Sequence, residues 1–192
     1  MPRIPEPTES LRDERVALRL SAERDIPEIL IAYQDDPQLH VHMGEQRPPS
    51  GAELGRREER APAERAAGTH VTLTILEPGS DICRGQIYVH HVDWDNQRAE
   101  LGMWLAPQVR GRGLASRSLR LAGSWLLRTC GFERVQVVAE PGNEPMIRAA
   151  RAAGFQDEGV LCGYLRERGT RIDVAIMSLL PSDLDDRRAC HG

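Results

Sequence analysis

The chain has 192 residues, of which 40% are hydrophobic and 4% aromatic, and this length fits one globular domain. Its formal net charge of −4 argues against a nucleic-acid partner, because affinity for phosphates requires a positive surface. No apolar run is as long as a membrane span, and the first residues carry no apolar signal-peptide core. The four cysteines lie outside C-x-x-C spacing, so we expect reduced thiols in a soluble cytoplasmic protein that binds neither nucleic acid nor membrane.

The pattern along the chain predicts a mixed α/β domain over residues 13–184, between a loose Pro-rich arm at 1–12 and a tail at 185–192. Alternation predicts strands at 15–21, 69–76, 83–92, 98–106 and 134–140, and a final hairpin over 155–180 that turns near Arg168-Gly169. Helical spacing predicts helices at 22–34, 52–67, 114–129 and 144–154, the second broken near Pro62. We therefore expect a largely antiparallel sheet flanked by helices, with one parallel crossover from the strand at 98–105 to that at 134–139.

The segment QVRGRGLA, residues 108–115, joins the strand at 98–106 to a helix. Such a turn presents unpaired backbone N–H groups, and the helix dipole adds partial positive charge, so it can bind an anion. Gly111 and Gly113 would let a phosphate approach the backbone, and Arg110 and Arg112 add positive charge. The same residues also fit an ordinary solvated helix start, because short glycine patterns often occur by chance.

Two other nucleotide-binding motifs fit this turn less well. A P-loop requires a lysine, and all 25 basic residues of the chain are arginine. A dinucleotide fingerprint would need glycine where Ser116 stands, although Glu140 could bind a ribose after the next strand. A nucleotide-binding oxidoreductase therefore stays open as a third function.

Residues 108–115 fit the Q/R-x-x-G-x-G/A pattern of the GCN5-related N-acetyltransferases, the GNAT family. RAELGMWLAP at 98–107 resembles the fourth strand of the RimJ/RimL-like branch, NEPMIRAARAAGF at 143–155 its second signature, and GTRIDVAIMSLLPSDL at 169–184 its closing strand. The resemblance covers roughly residues 15–184. It implies a GNAT-like fold with splayed central strands, and direct transfer of an acetyl group from acetyl-CoA to an amine.

The resemblance also implies how the cofactor binds. Backbone groups of the fourth strand would bind pantetheine, an N–H there would stabilise the oxyanion, and the amides at 109–115 would hold the pyrophosphate. Asn143 should cap its helix and also contact the cofactor. The implied cofactor-binding residues are Met103, Trp104, Leu105, Gln108, Val109, Arg110, Gly111, Arg112, Gly113, Leu114, Ala115 and Asn143.

Glu100 is the candidate catalytic base, because a protonated amine is no nucleophile and something must accept its proton. The resemblance puts a Glu at this position, and strand alternation places Glu100, Gly102 and Trp104 on one face. The alternative is a solvated strand residue paired with an arginine. A carboxylate there could act directly or through a water molecule.

The resemblance assigns no general acid, because Ala150 and Met146 stand where many relatives carry Tyr and Ser. Tyr164 and Cys162 are weak substitutes, and water could serve instead. A non-catalytic acyl-CoA-binding module is therefore the second function that we consider.

The histidines predict no metal site, because neither His40-x-His42 nor His90-His91 has a third ligand at recognisable spacing. Adjacent strand residues point to opposite faces, so at most one of His90 and His91 should face a cleft. The resemblance implies that the acceptor is an amine, either a small molecule or a protein N-terminus, and that the loop at 35–50 selects it. The oligomeric state stays open, a homodimer included.

Overall fold

Seven strands form one sheet in the order β1-β2-β3-β4-β5-β7-β6 in the computed structural model, which describes residues 3–7, 11–167 and 169–185. The strands are β1 (Ala17–Leu20), β2 (Val71–Leu76), β3 (Gly85–Asp93), β4 (Arg98–Leu105), β5 (Arg134–Ala139), β6 (Gln156–Glu167) and β7 (Thr170–Leu179). Every neighbouring pair is antiparallel except β4 and β5, which are parallel. The predicted mixed sheet with one parallel crossover is confirmed.

The helices are α1 (Ile26–Asp35), α2 (Leu39–His42), α3 (Gly51–Ala66), α4 (Leu114–Arg128), α5 (Glu144–Ala153) and α6 (Pro181–Asp185). The expected break at Pro62 is wrong, because α3 runs through this exposed residue. Its start is stabilised by a capping box, in which the Ser50 hydroxyl accepts from the Glu53 amide and the Glu53 carboxylate accepts from the Ser50 amide. Short α2 lies inside the segment predicted as loop. No helix in the described ranges is long and apolar enough to cross a membrane.

The core lies between the sheet and α4, which contacts β1, β3, β4 and β5. Leu119, Ala122 and Leu126 of α4 are fully buried in one cluster with Leu101 and Val135 of the sheet. Burial of this broad apolar stripe fixes where α4 begins, and hence where the glycine turn lies relative to the end of β4.

Strands β4 and β5 separate soon after they meet. They pair only at Arg98↔Arg134, Ala99↔Val135 and Glu100↔Gln136. Beyond that point β4 continues beside β3 and β5 beside β7, and no pairing joins β4 to β5 among the described residues. The predicted splay is confirmed, and it opens a gap directly after Glu100.

The two ends of the chain differ from the prediction in one respect. Within the expected loose arm, Ile4 is 1% exposed and Leu11 is 6% exposed, so both side chains belong to the core. The Ile4 amide also donates to the Arg65 carbonyl at the end of α3. Residues 186–192 of the predicted tail lie outside the described residues, as does Arg168 of the last hairpin turn, although Glu167 and Thr170 pair across that turn. The proposed domain boundaries stay a prediction.

Candidate active site

Alternate residues of β4 point their backbone N–H and C=O groups into the gap between β4 and β5. The Ala106 amide donates to the Arg84 carbonyl on the β3 side. Because successive backbone groups of a strand point to opposite sides, the amides of Met103 and Leu105 point away from β3 and into the gap. The Trp104 backbone faces β3, where its carbonyl lies against Gly85. The expectation that Trp104 offers backbone groups to a ligand is therefore wrong.

The glycine turn follows β4 through a short 3-10 turn at Pro107–Val109. Here the amides of Val109 and Arg110 already donate to the carbonyls of Ala106 and Pro107, so these two are not available to a phosphate. Gly111 and Gly113 both have left-handed backbones, with φ of 75° and 80°. A Cβ built on either glycine meets no heavy atom within 4 Å, so the turn is open to a ligand. The first amides of α4 have no carbonyl one turn earlier to bind.

A cleft of about 610 Å³ runs from the gap along the turn to α5. The predicted residues on its wall are Met103, Trp104, Leu105, Arg110, Gly111, Gly113, Ala115 and Asn143. The wall residues that the sequence did not single out for this cleft are Leu39, His42, Met43, Ser116, Pro145, Met146, Arg148, Ala149 and Ala152. Leu39, His42 and Met43 come from the segment at 35–50, where acceptor specificity was expected.

Four of the predicted cofactor-binding residues are not on the cleft wall. Val109 and Leu114 are buried in the core, at 2% and 4% exposure. The side-chain amide of Gln108 donates to the Asp35 carboxylate at the end of α1. Arg112 is exposed and has no hydrogen bond or ion pair within the described part of the chain. Gln108 and Leu114 can contribute to binding through the backbone and Arg112 through a free guanidinium, whereas the Val109 amide is already used.

The Arg110 side chain is bound by other protein groups and does not point freely into the cleft. Its Nε donates to the Leu105 carbonyl at 2.9 Å, and its guanidinium pairs with Asp36 at 2.6 Å. On the opposite wall, Asn143 caps α5, because its Oδ1 accepts from the Met146 amide at 3.2 Å. The predicted cap is thus confirmed.

Glu100 lies at the point where β4 and β5 part, and it is 8% exposed. The side-chain amide of Gln136 donates to Glu100 Oε2 at 3.1 Å, and Arg134 Nε in turn donates to Gln136 Oε1 at 3.3 Å. These two hydrogen bonds orient the Glu100 carboxylate from the β5 side. Glu100 is therefore a buried, hydrogen-bonded group rather than a solvated strand residue.

Two histidines approach Glu100 from β3, and the expectation that they lie on opposite faces is wrong. The pairing of β3 with β4 shifts between His90 and Asp93, and His91 has a left-handed backbone with φ of 47°. This bulge turns His91 Nδ1 to 3.4 Å from Glu100 Oε2, while His90 Nε2 lies 3.9 Å from Oε1. Burial lowers the pKa of His90. Nothing in the alternating sequence indicated the bulge.

A second cavity of about 490 Å³ lies between α3 and the face of β2, β3 and β4 that carries His90. Its walls are Met43, Glu45, Arg57, Glu58, Arg60, Ala61, Glu64, Thr69, His70, Thr72, Tyr88, His90 and Gly102. Met43 also lines the first cleft, so the two cavities are neighbours.

The second cavity carries carboxylates from α3 and from the segment before it. Glu45 accepts from Arg57 at 2.6 Å and from the Tyr33 hydroxyl at 2.9 Å. Glu58 accepts from Ser21, and burial raises the pKa of its carboxyl. The charged sequence of α3 is typical of a solvated helix, but its inner face forms this cavity wall.

No side chain with the chemistry of a general acid stands in the expected positions. Ala150 is fully buried and Met146 lines the cleft. Tyr164 is 50% exposed and Cys162 is exposed, both on the edge strand β6, and neither is on a wall of the two cavities. The structure thus gives neither residue a place at the gap.

Comparisons with known proteins agree with this geometry. A model of the acetyltransferase (GNAT) domain family matches residues 15–156. The N-acetyltransferase p20 of Bacillus licheniformis, described as uncharacterized, is 27% identical over 172 residues, 90% of this chain and 96% of the relative. Spermidine N(1)-acetyltransferase of Escherichia coli K12 is 29% identical over 75 residues, 39% of each chain. Mycobacterium smegmatis RimJ, solved in complex with CoA-disulfide, shares the fold at a TM-score of 0.74 and 22% identity, over 88% of this chain and 84% of RimJ.

Proposed function

The chain belongs to the GNAT family of acetyltransferases and is an N-acetyltransferase, and we propose that it binds acetyl-CoA in the cleft between β4 and β5. The observation that carries this proposal is the junction of the β4/β5 gap with an open, left-handed glycine turn. The gap offers strand-like backbone groups to an amide-bearing arm, and the turn offers helix-start amides to an anion. Acetyl-CoA carries both features in one molecule.

The pyrophosphate of acetyl-CoA would bind the amides from Gly111 to Ala115, since those of Val109 and Arg110 are already used. Between the two candidate cations, Arg112 is the better partner for an outer phosphate, because Arg110 is bound to Asp36. Arg110 would then have a structural role. Its ion pair with Asp36 joins the glycine turn to the segment at 35–50, where we expect the acceptor to be selected.

The pantetheine arm would lie along β4 with its amides paired to the backbone of Met103 and Leu105. An N–H of one of these residues would also stabilise the oxyanion that forms when the amine attacks the acetyl carbonyl. Asn143, on the facing wall, would contact the same arm from the start of α5.

The reaction needs a proton acceptor, and we propose Glu100. The amine nitrogen forms a bond to the acetyl carbon, its proton passes to Glu100, and the C–S bond breaks to release the thiolate of coenzyme A. Glu100 itself is on neither cavity wall, so an ordered water would carry the proton past His90, which is on the wall of the second cavity. Because a thiol has a pKa of about 8.5, its thiolate leaves without a dedicated acid.

The acceptor would enter through the second cavity and reach the cofactor past Met43. Its walls carry three carboxylates and two arginines. Arg57 pairs with Glu45 and Arg60 with Glu64, which leaves Glu58 as the wall carboxylate without an ion pair among the described residues, and so available to a further positive charge on the amine. A linear polyamine fits this chemistry, and an E. coli relative over part of its length is a spermidine N(1)-acetyltransferase. A protein N-terminus with basic residues behind it is the other acceptor to test.

The proposed cytoplasmic location is supported by Cys83, Cys130 and Cys162, which are free thiols. A homodimer stays a prediction, which light scattering at several concentrations would test.

The experiment is an acetyl-transfer screen read by mass spectrometry. Wild-type chain with acetyl-CoA is presented with polyamines, monoamines and N-terminal peptides, and calorimetry measures CoA binding in parallel. Transfer to a cationic amine supports the proposal. CoA binding without transfer to any acceptor would favour the non-catalytic module, and a chain that binds no CoA would refute the cofactor site.

A further inference from the structure

We propose that His90, His91 and Glu100 form a binding site for a zinc-class divalent cation. The three residues are brought together by two features of the sheet. His90 and Glu100 are direct partners across β3 and β4, and the bulge at His91 adds the second imidazole on the same side. A nitrogen or oxygen atom from each of the three residues lies within 4.8 Å of the others.

Two of the three donor spacings are close to those of tetrahedral coordination. His90 Nδ1 lies 3.2 Å from His91 Nδ1, and His91 Nδ1 lies 3.4 Å from Glu100 Oε2. Zinc bonds to nitrogen and oxygen of about 2.0–2.2 Å, at tetrahedral angles, separate neighbouring ligands by about 3.3–3.6 Å. The third contact, from His90 to Glu100, is made by the other ring nitrogen, with Nε2 at 3.9 Å from Oε1, so the His90 ring and the carboxylate must move closer together when a cation replaces the hydrogen bond between the two rings.

The chemistry of the donors selects the class of metal. Two imidazoles and one carboxylate suit zinc and its transition-metal neighbours, whereas magnesium and calcium prefer oxygen ligands alone. The His91 side chain is 70% exposed and that of Glu100 10%, so the site opens to solvent on one side. Three protein ligands would leave the fourth position to water or to another small ligand.

A second layer of contacts already orients the carboxylate. The Gln136 amide donates to Glu100 Oε2, and Arg134 positions Gln136. Outer partners of this kind orient a ligand and strengthen metal binding. A bound ion would occupy the carboxylate that we propose as the base, so metal and acetyl transfer should exclude each other at this site.

The test is zinc binding to the full chain in the absence of acetyl-CoA, measured by calorimetry in a buffer that does not chelate. Cobalt is the spectroscopic probe, because a four-coordinate site gives visible absorption. We expect one equivalent to bind wild type. His91→Asn, which tolerates the left-handed backbone, should weaken binding at least tenfold, and Gln136→Leu should weaken it about 10–100-fold.

The matched control is His42→Asn, which removes a histidine of the first cleft and should leave the affinity unchanged. Circular dichroism checks that each variant is folded. The proposal is overturned if wild type binds no zinc, or if His91→Asn binds it as tightly as wild type. Because binding is measured without cofactor or acceptor, the result is independent of whether the proposed acetyl transfer is found.

Discussion

Replacement of Gly113 by Asp or by Asn separates charge from shape at the proposed phosphate site. Gly113 is the N-cap of α4 and has a left-handed backbone, with no heavy atom within 4 Å of an added Cβ. Asn and Asp are nearly isosteric, both adopt this backbone more readily than other residues, and both are good N-caps. Each variant should lose about 1 kcal/mol of stability to the left-handed backbone, so the two should melt at similar temperatures.

The two variants should differ in their affinity for CoA. Repulsion between a carboxylate and one phosphate charge about 5 Å away lowers the binding free energy of CoA by roughly 1 kcal/mol at the dielectric constant of water, and by roughly 3 kcal/mol at that of a protein surface. The dissociation constant of CoA should therefore be about 5- to 150-fold higher for Gly113→Asp than for Gly113→Asn. Calorimetry at low salt measures the difference, and it should shrink in about 1 M salt because the charges are then screened.

Pantetheine is the control ligand, because it has the arm of CoA without its phosphates. It should bind both variants equally. If the Asp and Asn variants bind CoA with the same affinity, or if pantetheine shows the same difference as CoA, then the start of α4 does not hold the phosphates.

The glycine turn could be predicted from the sequence because its conformation depends on residues that are adjacent in the chain. Two glycines after a strand, followed by an amphipathic helix, favour left-handed turns, and both Gly111 and Gly113 have them. The parallel pairing of β4 with β5 could be predicted for a similar reason. Both segments have strand patterns, a single helix joins them, and a strand–helix–strand connection places its two strands in parallel in the same sheet.

The surroundings of Glu100 could not be predicted, since they depend on an exception to alternation. A left-handed histidine is rare, and only the pairing of β3 with β4 determines that the extra residue falls at His91. The inner face of α3 was missed for a related reason. Its charged sequence is typical of a solvated helix, and only the packing of α3 over β2 turns Glu58 inward.

Three further predictions concern the base, the acid and the stability of the fold. Glu100→Gln should lower kcat by about 10²–10⁴-fold with CoA affinity unchanged, and a near-normal rate would exclude Glu100 as the base. Tyr164→Phe and Cys162→Ala should each keep most activity, and a loss of orders of magnitude in either would reveal a general acid on β6. Asp25→Asn should destabilise the fold by about 2–3 kcal/mol at pH 7, because Asp25 is 1% exposed and pairs with Arg19 at 2.6 Å. Burial alone would raise the pKa of Asp25, but hydrogen bonds from Arg19 and a neighbouring threonine hold it below its ordinary value. A carboxyl whose folded pKa is depressed stabilises the fold above its unfolded pKa of about 3.9, and this contribution is lost as the pH falls through the lower, folded value. In urea denaturation, the difference between wild type and Asp25→Asn should therefore be constant near neutral pH and should narrow below about pH 4. A difference that is absent at pH 7, or that persists undiminished at the lowest pH where both chains fold, would show that the ion pair does not stabilise this part of the sheet.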